Sequence, residues 1–309
     1  MGITTLTPSL VRQLIRDEET GLRHDLFAPA AVTEIFRYGA VVGSTIHSYP
    51  QLGRGMAHAK KLILDCEQDG QSLASGTVII AGELTDGQGR FGRYWHAPPG
   101  GIWMTLILAN TLLPETTRLY PLAAGLACCE TIRHYGVPGH LKWVNDVLVG
   151  GRKIAGILSE TVITPLHHEE YVLIGIGINV NNESFPPELH ELAVSMRGML
   201  GKSLDLGMFG ARLLAKLAWS VGLLHYEERE WLALGDGGGC PAIEPVLVRE
   251  WRQLSDTVGR KVLFGYDVQQ KPQYEAVVEG ISPDGGLALL HLADKVAVVE
   301  YSGEITYLD

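Results

Sequence analysis

Apolar positions recur with helical spacing in five stretches. Thr7-Pro8 supplies a cap residue followed by proline at the first helical position, and Leu10 and Leu14 carry that helix to about Glu19. Pro29 to Phe36 predicts a second, short helix. Met56 to Glu67 predicts a third, with Leu62, Ile63 and Cys66 on one face. Leu119 to Tyr135 repeats the pattern through Leu122, Leu126, Cys129 and Ile132 until Gly136 and Pro138 stop it. Phe209 to Trp231 is a long amphipathic run. Between these lie β-rich segments: Ala40-Val41-Val42, ending at Gly43-Ser44-Thr45, then Thr77 to Ala81, Ile102 to Leu108, His140 to Trp143 and Tyr171 to Val180. Val147-Leu148-Val149 turns at Gly150-Gly151 into Lys153 to Leu158, which reads as a hairpin. In Gly175-Ile176-Gly177-Ile178 the alternation leaves one strand face without side chains, so a ligand or another backbone packs closely there.

Asp236 to Pro241 reads as a flexible connection. After Trp251 the texture changes. Lys261 to Phe264, Tyr274 to Val278, Leu287 to Leu290 and Val296 to Val299 are short strands separated by turns, with Pro283-Asp284-Gly285-Gly286 the clearest turn. This predicts a small all-β unit, a barrel, after a larger mixed one. The expected division is a helical extension over 1–35, a main domain over 36–245 and the small β-domain over 246–309.

Composition narrows the partners. The chain has 309 residues, 46% hydrophobic and 19% charged, enough for a full core. Its formal charge of −10 suits neither a DNA-coating protein nor one that spreads on an anionic membrane, so neither partner is expected. No apolar run reads as long enough to span a membrane, and Met1 to Asp17 lacks a signal-peptide pattern. Cys66, Cys128, Cys129 and Cys240 fit neither a disulfide framework nor a spaced metal site, and Cys128 and Cys129 read as small core residues. A reduced, cytoplasmic setting is the expectation.

Two stretches carry candidate chemistry. Gly87-Gln88-Gly89-Arg90-Phe91-Gly92-Arg93-Tyr94-Trp95 offers close backbone approach and two guanidinium groups. Its glycine spacing matches a dinucleotide fingerprint, but that needs a helix next, and Pro98-Pro99-Gly100-Gly101 follows instead. An anion-holding flap between two strands describes it better. The second stretch is Lys142-Trp143-Val144-Asn145-Asp146 with Arg152-Lys153-Ile154-Ala155-Gly156. The predicted hairpin brings Lys142, Asn145, Asp146 and Lys153 together.

With these residues in view, roughly positions 36 to 309 resemble the biotin–protein ligases, within the wider biotin/lipoate ligase superfamily. The pattern Gly-Arg-Gly-Arg-x-Gly-Arg-x-Trp is similar to Gly87 to Trp95, and Lys-Trp-Pro-Asn-Asp to Lys142 to Asp146 with valine for proline. Arg152 to Leu158, Gly175 to Asn179 and the tail with Gly259, Asp284-Gly285 and Ser302-Gly303-Glu304 follow in the family's order. Ser44-Thr45 resembles the family's Ser-Thr-Asn element. A second register places Arg54-Gly55-Met56 there instead. Three departures touch the acid-binding end: Gln88 replaces the first loop arginine, Leu84 a biotin-contacting glutamine and Ile46 the asparagine.

The resemblance implies an α+β fold, a mixed sheet flanked by helices as in class II aminoacyl-tRNA synthetases and biotin synthetase, with a small C-terminal SH3-like barrel. It implies two steps. Biotin and ATP give biotinyl-5′-AMP, and a lysine of a biotin carboxyl carrier protein then takes the acyl group. Lys153, Arg90 and Asp146 are the implied catalytic residues. Ser44, Thr45, Gln88, Gly89, Arg90, Arg93, Trp95, Lys142, Asn145, Lys153, Gly156 and Asn179 are the implied ligand contacts, with Asp146 holding Mg²⁺. A homodimer by sheet-edge pairing is left open. The alternatives on the same fold are a lipoate or octanoate ligase or transferase and a non-catalytic biotin-binding relative.

Overall fold

The computed structural model describes residues 5–235 and 244–308. The predicted connection at Asp236 to Pro241, with Cys240, therefore lies outside the described residues. Thr7 caps the first helix, α1 (Pro8–Leu14), its hydroxyl accepting from the Leu10 N–H at 3.2 Å. The helix runs on through a π-turn at Ile15–Glu19 to Leu22. Helix α2 (Pro29–Gly39) is longer than its pattern predicted, and it crosses the expected boundary at residue 35.

The main sheet has seven strands: β1 (Thr45–Tyr49), β2 (Thr77–Ala81), β3 (Ile102–Ala109), β4 (His140–Lys142), β5 (Asp146–Val149), β6 (Arg152–Ile163) and β7 (Glu170–Ile178). Their spatial order is β1-β2-β3-β7-β6-β5-β4. Only β1 and β2 run parallel. The predicted strand at Ala40 to Val42 is a turn instead. The end of α2 packs so closely on the core that the chain turns there, and Val42 is buried from that turn. Strand β1 starts only at Thr45. Tertiary packing overrode the β propensity of two valines.

The two faces of the sheet have different neighbours. One carries Val78, Ile80, Ile102, Leu106, Ile174 and Ile178 into the principal core, with α4 (Tyr120–His134) and α5 (Leu206–Ala233) above it. The other carries Ile79, Ile107, Tyr171 and Leu173 against Ala59 and Ile63 of α3 (Gly55–Gln68). Against the expectation from sequence, helix α5 is long and apolar enough to cross a membrane by length and composition, but 94% of its most apolar window is buried inside the protein. It serves as the central core helix.

Helices α2 and α5 meet backbone to backbone. A Cβ on Gly222 would lie 2.0 Å from the Ile35 carbonyl oxygen, and one on Gly39 would lie 1.8 Å from that of Ala218. Backbone atoms cannot swing aside as side chains do, so the helices would have to separate. Gly222→Ala is expected to cost about 3 kcal/mol, the upper end for overpacking. A urea midpoint unchanged at constant m-value would refute that.

After α6 (Val246–Gln253) comes an antiparallel sheet of five strands: β8 (Lys261–Gly265), β9 (Tyr274–Ile281), β10 (Leu287–His291), β11 (Ala297–Glu300) and β12 (Glu304–Tyr307). The order is β11-β10-β9-β8-β12, an SH3-like unit. The outer strands β11 and β12 are not paired with each other, so the expected barrel is not closed by a ladder.

Candidate active site

The register of the main sheet builds the site. Trp103, Gly177, Gly156, Asp146 and Lys142 lie in one row across β3, β7, β6, β5 and β4. Thr105, Gly175 and Leu158 form the next row on the same face. The glycine alternation on β7 thus turns a smooth strip outward while Ile174, Ile176 and Ile178 enter the core. Two side chains lie against the strip. A Cβ on Gly177 would stand 2.7 Å from Nε1 of Trp95, and one on Gly175 would stand 3.0 Å from Sδ of Met56. Above the strip is a cavity of about 470 Å³, a size that suits a small molecule.

The flap over this cavity is a small hairpin. Trp95 donates its N–H to the Gly87 carbonyl at 2.9 Å, and Gly89 donates to that of Arg93 at 2.8 Å. Phe91 and Gly92 turn at the tip with φ of 56° and 73°, the left-handed region that a short reversal needs. Trp95 is folded under the flap. Its indole N–H is buried and has no partner among the described residues. The Lys153 ammonium lies 5.3 Å from the ring centroid.

Lys142, Asn145, Asp146 and Lys153 do come together, as the hairpin pattern predicted. Nζ of Lys153 is 2.5 Å from Oδ1 of Asp146. Burial pushes the Lys142 ammonium below its ordinary value of 10.5; Asp146 works against that shift and Lys153 adds to it. The Tyr307 ring lies 5.4 Å from Nζ of Lys142. The Asn145 amide nitrogen donates to the Ile157 carbonyl at 2.7 Å, which ties the β4–β5 turn to β6. Asn179 lines the cavity with its side-chain oxygen engaged by Asn182 at 3.3 Å.

Both flap arginines line the cavity, but they are not free. Arg90 donates to the Gly303 carbonyl at 2.8 Å and to Oγ of Ser302 at 3.3 Å. Arg93 makes a bidentate pair with Glu304 at 2.7 and 2.8 Å. The C-terminal sheet therefore holds the flap in place. Burial lowers the Arg90 pKa, and Glu304 and Asp146 partly offset this.

Ser44 and Thr45 do not reach the cavity. Thr45 begins β1 beside Thr77, whereas the cavity lies beyond the opposite ends of β1 and β2. Four residues at about 3.3 Å each separate them from it. Arg54, Gly55 and Met56 line the cavity at that opposite end, as the second register had it. Gln88, Gly89, Trp95 and Gly156 also line it. Lys60, Thr105, Glu160 and Glu304 line it too and were missed. Thr105 alone had a local signal, a hydroxyl in an otherwise apolar strand.

Comparison with known proteins decides the family. The family model "Biotin/lipoate A/B protein ligase family" matches residues 60–179. A biotin–[acetyl-CoA-carboxylase] ligase of Mycobacterium tuberculosis is 34% identical over 75% of this chain and 79% of its own. The chain belongs to the biotin–protein ligase family. A bifunctional ligase/repressor of Bacillus spizizenii is 40% identical, over 42% of this chain and 41% of its own length, so the match spans less than half of that relative. In fold, the chain resembles the biotin protein ligase of Aquifex aeolicus, described in complex with biotin and ATP, with a TM-score of 0.64 and 21% identity. That likeness covers 85% of this chain and 98% of the other. Against the family pattern, the Lys142 to Asp146 end is nearly intact. The departures Leu84 and Gln88 both face the cavity, while Ile46 sits on β1 away from it.

Proposed function

We propose that the protein activates biotin with ATP to biotinyl-5′-AMP and transfers the acyl group to a lysine of a biotin carboxyl carrier protein. The arrangement that carries this reading is the Lys142–Asn145–Asp146–Lys153 cluster beside a glycine strip, under a flap with two arginines. A carboxylate oxygen attacks the α-phosphorus, the bond to the β-phosphate's bridging oxygen breaks, and pyrophosphate leaves. Two anions must meet, so cations fixed in advance lower the barrier. Lys153 bridges the carboxylate and the α-phosphate. Arg90 and Arg93 take the phosphates. In the second step the carrier amine attacks the acyl carbon, AMP leaves, and Asp146 accepts the amine's proton.

Among the described residues no three His, Cys, Asp or Glu side chains cluster as a metal cage. Mg²⁺ does not need one, because water and substrate phosphates fill most of its six positions. Asp146 fits as the protein carboxylate that holds it, and the bound ion would neutralise charge on the triphosphate. An acyl-enzyme route through cysteine has less support. Cys66, Cys128 and Cys129 do not line the cavity, and burial pushes the Cys129 thiol up to about 12. We assign the seven-stranded sheet with its flanking helices as the catalytic unit and the C-terminal five-stranded sheet as the unit that steadies the flap.

Pyrophosphate exchange tests the reading. Exchange dependent on biotin, followed by labelling of a carrier domain, is the expected result. Exchange with lipoate or octanoate but not biotin would transfer the protein to the sister activity. No exchange with any of them would leave only binding.

A further inference from the structure

One departure at the acid-binding end has a partner on a neighbouring element. Gln88 stands where the family pattern has a loop arginine, yet the position does not lack a guanidinium. Arg54 reaches across from the start of α3. Its Nε donates to Oδ2 of Asp86 at 2.6 Å, and its Nη1 donates to Oε1 of Gln88 at 2.7 Å. The backbones there are tied as well: Thr85 donates to Leu52 and Asp86 to Gly53, both at 3.0 Å. The substitution at 88 and the arginine at 54 thus form one assembly, in which a carboxylate and an amide oxygen orient a cation borrowed from a neighbouring element.

A guanidinium carries five N–H donors, and two are committed here. Its side chain is 42% exposed and lines the cavity, so a ligand can reach the remaining three. Nearby, Thr105 is buried but lines the same cavity. Its Oγ1 would be only 2.7 Å from a Cβ on Gly55, so glycine there leaves room for the hydroxyl. Among the described residues that hydroxyl has no hydrogen-bond partner. Arg54 and Thr105 sit at the β1–β3 side of the cavity, whereas Lys153 sits on β6, with Lys142 and Asp146 beyond it on β4 and β5. At about 4.8 Å per strand step, β3 and β6 are roughly 10 Å apart. An acid whose carboxylate meets Lys153 therefore points its far end at Arg54.

We propose that Arg54 is the specificity-determining residue of this protein, reading the carbonyl oxygen of a cyclic urea at the far end of the acid, with the Thr105 hydroxyl accepting one of the urea N–H groups. Asp86 and Gln88 position Arg54. This rests on the ligase reading above and names what selects its acid. A plain alkyl tail leaves the guanidinium and the hydroxyl without partners, which disfavours octanoate.

The test is steady-state pyrophosphate exchange by the full chain, with biotin and ATP varied separately. If the wild-type protein shows no biotin-dependent exchange, the functional reading itself fails. Given wild-type exchange, Arg54→Ala is expected to raise the KM for biotin about 10- to 100-fold, as for loss of a charged hydrogen bond, with the KM for ATP within about twofold. Arg54→Lys is expected to fall between, because an ammonium lacks the planar fork that spans Asp86 and Gln88. It also serves as the readout if the alanine variant folds poorly. An unchanged KM for biotin in both variants overturns the proposal. So does an equal rise in both KM values, since that is what loss of a mere flap tether produces.

Discussion

Lys153→Ala is expected to slow biotin-dependent pyrophosphate exchange by about 10²–10³-fold, the loss that follows removal of one charge-stabilising group at such a centre. Several features single out this cation. Arg90 and Arg93 are engaged by Gly303, Ser302 and Glu304. Lys142 is half-buried in β4, where desolvation disfavours its charge. Lys153 is a third exposed and already faces a carboxylate, Asp146, at 2.5 Å. That pair has the geometry a substrate carboxylate can take over. Its stem is also packed: Cε lies 3.0 Å from where a Cβ on Gly156 would be. The fold should survive the change, because a partly exposed pair contributes at most about 1 kcal/mol. Arginine should not rescue the rate, since its planar fork does not match a point charge held beside Trp95. Near-normal exchange by a folded Lys153→Ala protein would remove Lys153 from the mechanism.

Lys216→Met is expected to destabilise the protein by about 3 kcal/mol, by breaking a buried ion cluster far from the cavity. Glu19, in the π-turn after α1, is 1% exposed and pairs with Arg23 at 3.0 Å and Lys216 at 2.8 Å. Glu130 on α4 pairs with Arg23 at 2.5 Å and lies 3.6 Å from Lys216. Arg23 also lies 5.0 Å from the Trp219 ring centroid. Two anions and two cations thus alternate where the N-terminal helix meets α4 and α5. Removing one ammonium leaves a buried carboxylate under-compensated. Arg23 remains on Glu19, which keeps the cost at the lower end for such pairs. The double variant Glu19→Leu with Lys216→Met should be less destabilised than Lys216→Met alone. Urea unfolding of both proteins measures the difference, and a worse double variant would show that the charges are not coupled.

The same cluster makes stability depend on acid. Burial alone would raise the Glu130 carboxyl, but hydrogen bonding and charge from Arg23, with help from Lys216, hold it below 4.5. A carboxyl lowered on folding stabilises fully above its unfolded value, and that contribution is lost as pH falls through the folded one. Acid should therefore loosen the N-terminal helix first, at a higher pH in Lys216→Met than in the wild-type protein.

Much of the site was legible because its chemistry is local. The order of the glycine and arginine loop, Lys142 to Asp146 and Lys153 to Gly156 was enough to name the flap, the cation cluster and the smooth strand. The hairpin at Gly150-Gly151 fixed which of these residues would meet. Ser44 and Thr45 were misplaced because the β-rich run before them is a turn in the fold. They therefore precede and begin β1 instead of ending a strand, which puts them at the end of the sheet away from the cavity.

Periodicity, turn residues and motif order, all properties of neighbouring residues, determined the helices, most of the strands, the family and the Lys/Asn/Asp end of the pocket from the sequence by itself. Only the tertiary structure decided that Arg54 stands beside Gln88, 34 positions away, that Glu304 holds Arg93 across 211, and that Trp95 lies on Gly177. Such contacts depend on how strands are ordered and how helices seat on them. That order is set by burial summed over the whole core, and no short stretch of sequence contains it.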